Sequence, residues 1–190
     1  MSLMATKVWL ITGERQVGKS TVLGAVIPRL RDAHVRVTGL LTERTGPHDL
    51  AVTELHTGDR YPLTEPFRDL PESPTRHFTM SEAALARSRQ ALLTSFPTQL
   101  FVLDELGPLE LNHRRGWAAA LDFLARARYD LAVVVVRPEL LGAAIAALPG
   151  ACFCVLQVTL DNRVALPERL VAAWLSRLAE PAASQPGAWS

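Results

Sequence analysis

Residues 7–21 read KVWLITGERQVGKST, and the second half of this stretch fits the phosphate-loop pattern G-x-x-x-x-G-K-[ST], with Gly13, Gly18, Lys19 and Ser20 in the fixed positions. A loop that wraps a phosphate must point several successive backbone N–H groups inward, which requires backbone angles and close approaches that glycine permits. The loop residues Gly13, Glu14, Arg15, Gln16, Val17, Gly18, Lys19, Ser20 and Thr21 are therefore candidates for nucleotide contact. Lys19 is positioned to reach the β- and γ-phosphates and Ser20 to ligate Mg²⁺, while the following helix turns its positive end to the anion. Flanking sequence supports the reading. VWLIT before Gly13 is a short apolar strand, and STVLGAVIPRL after Lys19 carries apolar residues at helical spacing.

Outward from that unit, helical and strand patterns alternate. VRVTGLLT (35–42) predicts a second strand, and LAVTELHT (50–57) a third. The TGPHD turn between them is too short for a crossover, so the pair is an antiparallel hairpin, and residues 60–63 add a short fourth strand. Residues 64–80 contain three prolines and little periodicity, which predicts an exposed loop able to close over a nucleotide or to serve as a plain excursion. Thr79 and Glu82 fit a capping box for a helix running to about Ser95. Strands follow at 100–103, 131–136 and 151–158, with helices at 115–128, from Pro138 and from Pro167 to about Leu178. In the helix at 115–128, Trp117, Ala120, Leu121 and Leu124 share one side. The alternation implies an α/β fold with a mostly parallel sheet and helices on both faces, so function belongs at the strand carboxyl ends.

Composition narrows the classes. A chain of 190 residues with 48% hydrophobic content suits one domain, taken as 1–179, with a disordered tail at 180–190 rich in small residues and Pro. The formal charge of +1 lacks the field of a nucleic-acid binder, and the longest apolar run, LAVVVV, is far below membrane-spanning length. A soluble cytoplasmic protein is expected. Cys152 and Cys154, two apart in an apolar run, suit neither a disulfide nor a zinc site and are expected to be buried structural thiols. The five histidines show no metal-ligand spacing.

Two other strand ends carry chemistry. Asp104 follows the apolar strand at 100–103 and matches the Walker-B carboxylate that holds Mg²⁺; Glu105, pointing elsewhere, is placed to orient or deprotonate a water attacking the γ-phosphate. Arg137 ends the strand at 131–136, and Arg15 lies within the phosphate loop. Either arginine is a candidate for charge stabilisation in the transition state, or for an ordinary surface charge.

GERQVGKST, GLLTERT, LHTGDRYPL and above all FVLDELGPLEL, in that order and followed by LDNR, resemble the P-loop nucleoside-triphosphatase family first described from thermophiles, which has a cancer-related human member. The resemblance spans residues 7–178. It implies a three-layer P-loop sandwich with a RecA-like sheet, in which an extra strand separates the phosphate-loop strand from the Walker-B strand. It also implies Mg²⁺-dependent hydrolysis of ATP, GTP and other nucleoside triphosphates with loose base selectivity. Matched by position, Lys19 and Ser20 serve phosphate and metal, Asp104 the metal and Glu105 the water, with Asn162 and Arg163 as base or ribose contacts. The loop interior ERQV is bulkier than the family's usual small residues and proline. No N-K-x-D segment marks guanine.

Three functions remain open from sequence: hydrolysis to NDP and phosphate, phosphoryl transfer to a small acceptor, and a nucleotide-dependent switch read by a protein partner. An acceptor pocket would have to come from the 64–80 loop and from Arg87 and Arg89.

Overall fold

The computed structural model describes residues 8–66, 79–126, 129–148 and 151–179. Most of the 64–80 excursion, with Arg68 and Arg76, and the tail from 180 fall outside the described residues.

The strands are β1 (Val8–Thr12), β2 (Val37–Arg44), β3 (Leu50–Glu54), β4 (Arg60–Pro62), β5 (Thr98–Leu106), β6 (Tyr129–Val136) and β7 (Phe153–Gln157). Among the described residues they form one sheet in the order β4-β3-β2-β5-β6-β1-β7. β2 through β5, β6 and β1 to β7 are parallel, while β2-β3 and β3-β4 are antiparallel. β6 thus stands between the phosphate-loop strand β1 and β5, the expected insertion. The antiparallel hairpin also holds, because the short 45–49 connection cannot make a crossover.

The helices are α1 (Lys19–Asp32), α2 (Glu82–Leu93), α3 (Pro108–Leu111), α4 (Ala119–Arg126), α5 (Leu141–Ala147) and α6 (Leu166–Ala179). Strand side chains alternate between faces, so each central strand feeds two cores. In β6, Ala132, Val134 and Val136 join the layer under α2, α4 and α5, while Leu131, Val133 and Val135 join the layer under α1 and α6. This is why VVVV is uninterrupted. A strand covered on both faces has no solvent side to encode.

Local differences from the sequence reading have local causes. The cap of α2 is Ser81, whose Oγ accepts from Ala84 N at 3.4 Å, and not Thr79. Residues 79 and 80 are engaged in pairing with 64 and 65, since Glu65 N donates to Thr79 O and Thr64 bridges Met80, so the chain is free to turn helical only at 81. The helix expected at 115–128 begins at Ala119. Arg114 and Gly116 take positive φ as the chain curls round Glu110, which leaves Trp117 in the turn before α4. Pro138 opens a 3-10 turn ahead of α5. β5 is longer than 100–103, so Asp104 and Glu105 lie in its last residues, joined by a cis peptide.

The cysteine reading fails. Cys152 is exposed and Cys154 half-buried. Among the described residues β7 is an edge strand paired with β1, and at that position the apolar run leaves Cys152 exposed and Cys154 only partly covered.

Candidate active site at the strand carboxyl ends

The phosphate loop is built as its glycines require. Gly13 has φ 147° and Gly18 φ 106°, both in the region costly for residues with a Cβ, and Gln16 shares the positive sign at 60°. A Cβ on Gly13 would also lie 2.4 Å from the carbonyl oxygen of Val158, so the loop is pressed against the end of β7. Inside the ERQV segment, which looked bulky, Glu14, Arg15 and Gln16 are exposed while Val17 turns into the core. The bulk therefore points outward. Arg15 makes no ion pair among the described residues.

Lys19 opens α1 and is buried, its Nζ donating to the carbonyls of Gly13 at 2.7 Å and Glu14 at 2.8 Å. These bonds hold the ammonium across the loop mouth. Burial pushes its pKa down, while Glu105 and Asp104 pull it up and Arg137 opposes them. The same groups that the sequence reading singled out on three strands therefore share one electrostatic site.

Asp104 is 1% exposed. Burial pushes its carboxyl up to about 7; the Ser20 hydroxyl hydrogen-bonded to it works the other way, Glu105 adds to the rise, and the Thr42 backbone N–H, donating at 3.4 Å, lowers it. Glu105 is half-buried and accepts from Arg137 Nε at 2.5 Å. Arg137 thus holds a carboxylate directly, and its guanidinium fixes Glu105 at the edge of the site.

A divalent cation fits these residues. Ser20 and Asp104 offer hard oxygen donors, and a carboxyl driven toward neutrality by burial is the group that a cation would restore to its charged form. Among the described residues no cluster of three or more His, Cys, Asp or Glu forms an all-protein metal cage. The donor set matches Mg²⁺ sites, which rely on one or two protein ligands and on substrate phosphates.

Asn162 and Arg163 divide. The Asn162 amide is engaged in its own turn, with Oδ1 accepting from Thr159 N at 2.9 Å and Nδ2 donating to Gln157 O at 2.9 Å. Its role is to shape the β7-α6 connection. That connection brings Arg163 to the phosphate loop, where Nη1 donates to Val17 O at 3.4 Å and the side chain runs beside Gly18. Thr21 is exposed on the first turn of α1.

Sequence reasoning missed Glu110. It is buried, with Oε2 accepting from Gly107 N at 3.0 Å and Oε1 from Trp117 N at 3.1 Å. Burial raises its pKa, and these two N–H groups lower it. Its carboxylate pins the loop leaving Glu105. The signal was present in GPLE, where the glutamate sits three residues after the residue preceding the helix, the spacing of half a capping box. Arg87 and Arg89, considered for an acceptor, are otherwise occupied: Arg87 pairs with Glu54 and Asp59 at the antiparallel end of the sheet, and Arg89 contacts Gly116 O.

A mostly parallel sheet with β6 inserted, a glycine-bent loop leading into α1 and an Asp on the neighbouring strand end define the phosphate-loop nucleoside-triphosphatase class. Within that class, the profile of a family described as NTPase matches residues 8–171, and the chain belongs to that family. The crystal structure of THEP1 from the hyperthermophile Aquifex aeolicus shares the fold, with a TM-score of 0.60 over 88% of this chain and 98% of that one, at 18% identity. No curated protein matches. Among the described residues no helix is long and apolar enough to cross a membrane.

Proposed function

We propose that the protein is a Mg²⁺-dependent nucleoside-triphosphatase of the cytoplasm that hydrolyses ATP, GTP and related triphosphates to NDP and phosphate, with Glu105 acting on the attacking water. The observation that carries this reading is the convergence of Glu105, Asp104 and Arg137 on the electrostatic surroundings of Lys19. Gly13 to Ser20 would receive the phosphates, Lys19 meeting the β- and γ-oxygens in exchange for its two carbonyl partners. Ser20 and Asp104 would hold Mg²⁺, which when bound neutralises charge on the β- and γ-phosphate oxygens. Arg137 holds Glu105 in a fixed orientation, as a group that is to accept a proton from water must be held. Arg163 braces the loop from the other side.

Phosphate release from several NTPs, measured with Mg²⁺ and no second substrate, tests this in the parent and in Glu105→Gln. The amide keeps the shape and removes the basic oxygen, so turnover should fall by roughly 10²-fold or more. Unchanged turnover would remove Glu105 from the chemistry. Phosphate transfer seen only with an added acceptor or protein partner would favour a kinase or a switch instead.

A further inference from the structure

The turn between β7 and α6 carries the two most exposed large apolar side chains among the described residues, Val164 at 84% and Leu160 at 66%. A single exposed aliphatic is ordinary, but these two stand four residues apart on one short turn. Arg163 N donates to Thr159 O at 3.1 Å and Leu166 N to Asn162 O at 3.0 Å. Those bonds have the four-residue span of a helix, a pitch at which residues four apart are neighbours on one side. The polar groups of the turn are used inside it. Asn162 Oδ1 accepts from Thr159 N at 2.9 Å, Thr159 Oγ1 accepts from Asn162 N at 3.3 Å, and Asn162 Nδ2 donates to Gln157 O at 2.9 Å. Polar atoms thus fix the turn while its apolar atoms stand in the open.

The same turn is tied to the phosphate loop at both of its glycines. A Cβ on Gly13 would lie 2.4 Å from Val158 O, and one on Gly18 would lie 3.5 Å from Arg163 Cδ. Arg163 Nη1 also donates to Val17 O at 3.4 Å. Leu160 follows Val158 by two residues, at most ~7 Å of chain, and Val164 is the immediate neighbour of Arg163. The bare apolar pair therefore borders the place where the phosphates of a ligand would enter.

Apolar surface beside a phosphate site suits the part of a phosphate ester that is not phosphate. In a nucleotide the ribose is polar, whereas the base is a flat ring with two apolar faces. We propose that Leu160 and Val164 form the platform on which the base of the bound nucleotide lies. The inference rests on the reading of Gly13 to Ser20 as the phosphate site and adds the base to it. It also sets selectivity. The identity of a base is carried by donors and acceptors on its edge, and an aliphatic platform meets only the face. Asn162, the amide on this turn, is engaged within it and is not offered to an edge. The platform accordingly accepts purines and pyrimidines, and holds purines more firmly because they cover more of it.

Equilibrium binding of ATP, GTP, CTP and inorganic tripolyphosphate, each with Mg²⁺, tests this in the parent, the double variant L160S/V164S and Lys19→Ala. Both replaced side chains already stand in solvent, so the double variant should unfold at nearly the parent's temperature. It should bind the three nucleotides at least about tenfold more weakly and tripolyphosphate as the parent does. Lys19→Ala should weaken all four. Nucleotide binding that Lys19→Ala leaves intact takes down the phosphate-loop reading and the platform with it, whereas nucleotide binding lost in Lys19→Ala but unchanged in L160S/V164S overturns the platform alone. So does tripolyphosphate weakened as much as the nucleotides, a loss confined to one base, or a preference for GTP that Asp161→Asn abolishes. A parent that sediments as a dimer, with a monomeric double variant of unaltered nucleotide affinity, would give the pair to a second copy of the chain instead.

Discussion

On the β5–β6 side of the phosphate loop a buried lysine stands among carboxylates, whereas on the β7–α6 side two aliphatic side chains stand in the open. The first side is assembled from one contiguous loop and two strand ends, and its charges already answer one another: Lys19 by Glu105 and Asp104, Glu105 by Arg137. The second is one short turn, closed on its own backbone by Asn162, that leaves Leu160 and Val164 for a ligand to cover. β1, which delivers the loop, stands between the two in the sheet. What differs is how much of each side is satisfied before anything binds. A side with internal partners is rigid and ready for chemistry; a side with bare apolar surface is suited to capture.

The sharpest way to separate the two sides is Lys19→Ala. It removes the ammonium that spans Gly13 and Glu14, and loss of one electrostatic stabiliser aimed at developing charge costs about 10²–10³ in rate. Phosphate release at saturating NTP should fall by that much, while L160S/V164S should raise KM instead. A similar fall in kcat in both variants would mean that the two sides act as one.

A substitution in the sheet beneath them should harm both alike. Gly39 lies in β2 opposite Val102 of β5, with φ 104°, and a Cβ there would fall 1.9 Å from the Val102 carbonyl oxygen. Neither backbone can yield without disturbing the parallel pairing, so Gly39→Ala should lower stability by about 3 kcal/mol or more. Urea unfolding followed by circular dichroism measures it. A shift within about 1 kcal/mol would show that β2 and β5 give way easily and do not hold the strand ends rigidly.

The metal-free chain offers a third, smaller test. Asp104 has its carboxyl raised by burial from 3.8 to about 7, so between those values the folded chain keeps a proton that the unfolded chain has lost. Stability of the chain in EDTA should therefore decline as pH rises through that window and level off above it. Asp104→Asn removes the titration. In EDTA at pH 8 the variant should be more stable than the parent by about 1–3 kcal/mol, with a shallower pH profile, since Glu110 still titrates, and with lost turnover. Thermal unfolding at pH 5 and pH 8 reads the sign directly. A parent whose stability rises over the same window would mean that Asp104 is charged and satisfied without metal.

The same contrast explains what was legible in the sequence. The phosphate loop could be read because its requirements are local: Gly13 and Gly18 are needed where they stand, and strand and helix flank them in the chain. The inserted β6 and the family followed from DELGPLEL. Glu110, in that same string, went unassigned because its function is to pin a turn whose curl is visible only in three dimensions. Cys152 and Cys154 misled, since an apolar run says that a strand is covered but not that β7 would lie at an edge. The apolar pair had no linear signature. Leu160 and Val164, four apart, are indistinguishable from a buried helical pair until the structure leaves them in the open.

Arg163 sharpens the comparison from the β7–α6 side, and its expected effect is the smallest. It is exposed, its bond to Val17 O is 3.4 Å long, and it runs beside Gly18 without entering the ring of groups around Lys19. A residue placed there braces the loop, and under the proposed function it would border the nucleotide without touching the reacting phosphate. Arg163→Ala should therefore raise KM for NTPs by a few-fold to about tenfold with kcat nearly unchanged, the pattern of lost uniform binding. Asn162→Ala should follow it in the same direction, since the amide that shapes the turn presents the arginine. Steady-state phosphate release over a range of ATP and GTP concentrations distinguishes the outcomes. A fall in kcat at saturating NTP would instead place Arg163 among the groups that act on the transition state, and the loop's outer rim would then belong to the chemistry as much as its lysine does.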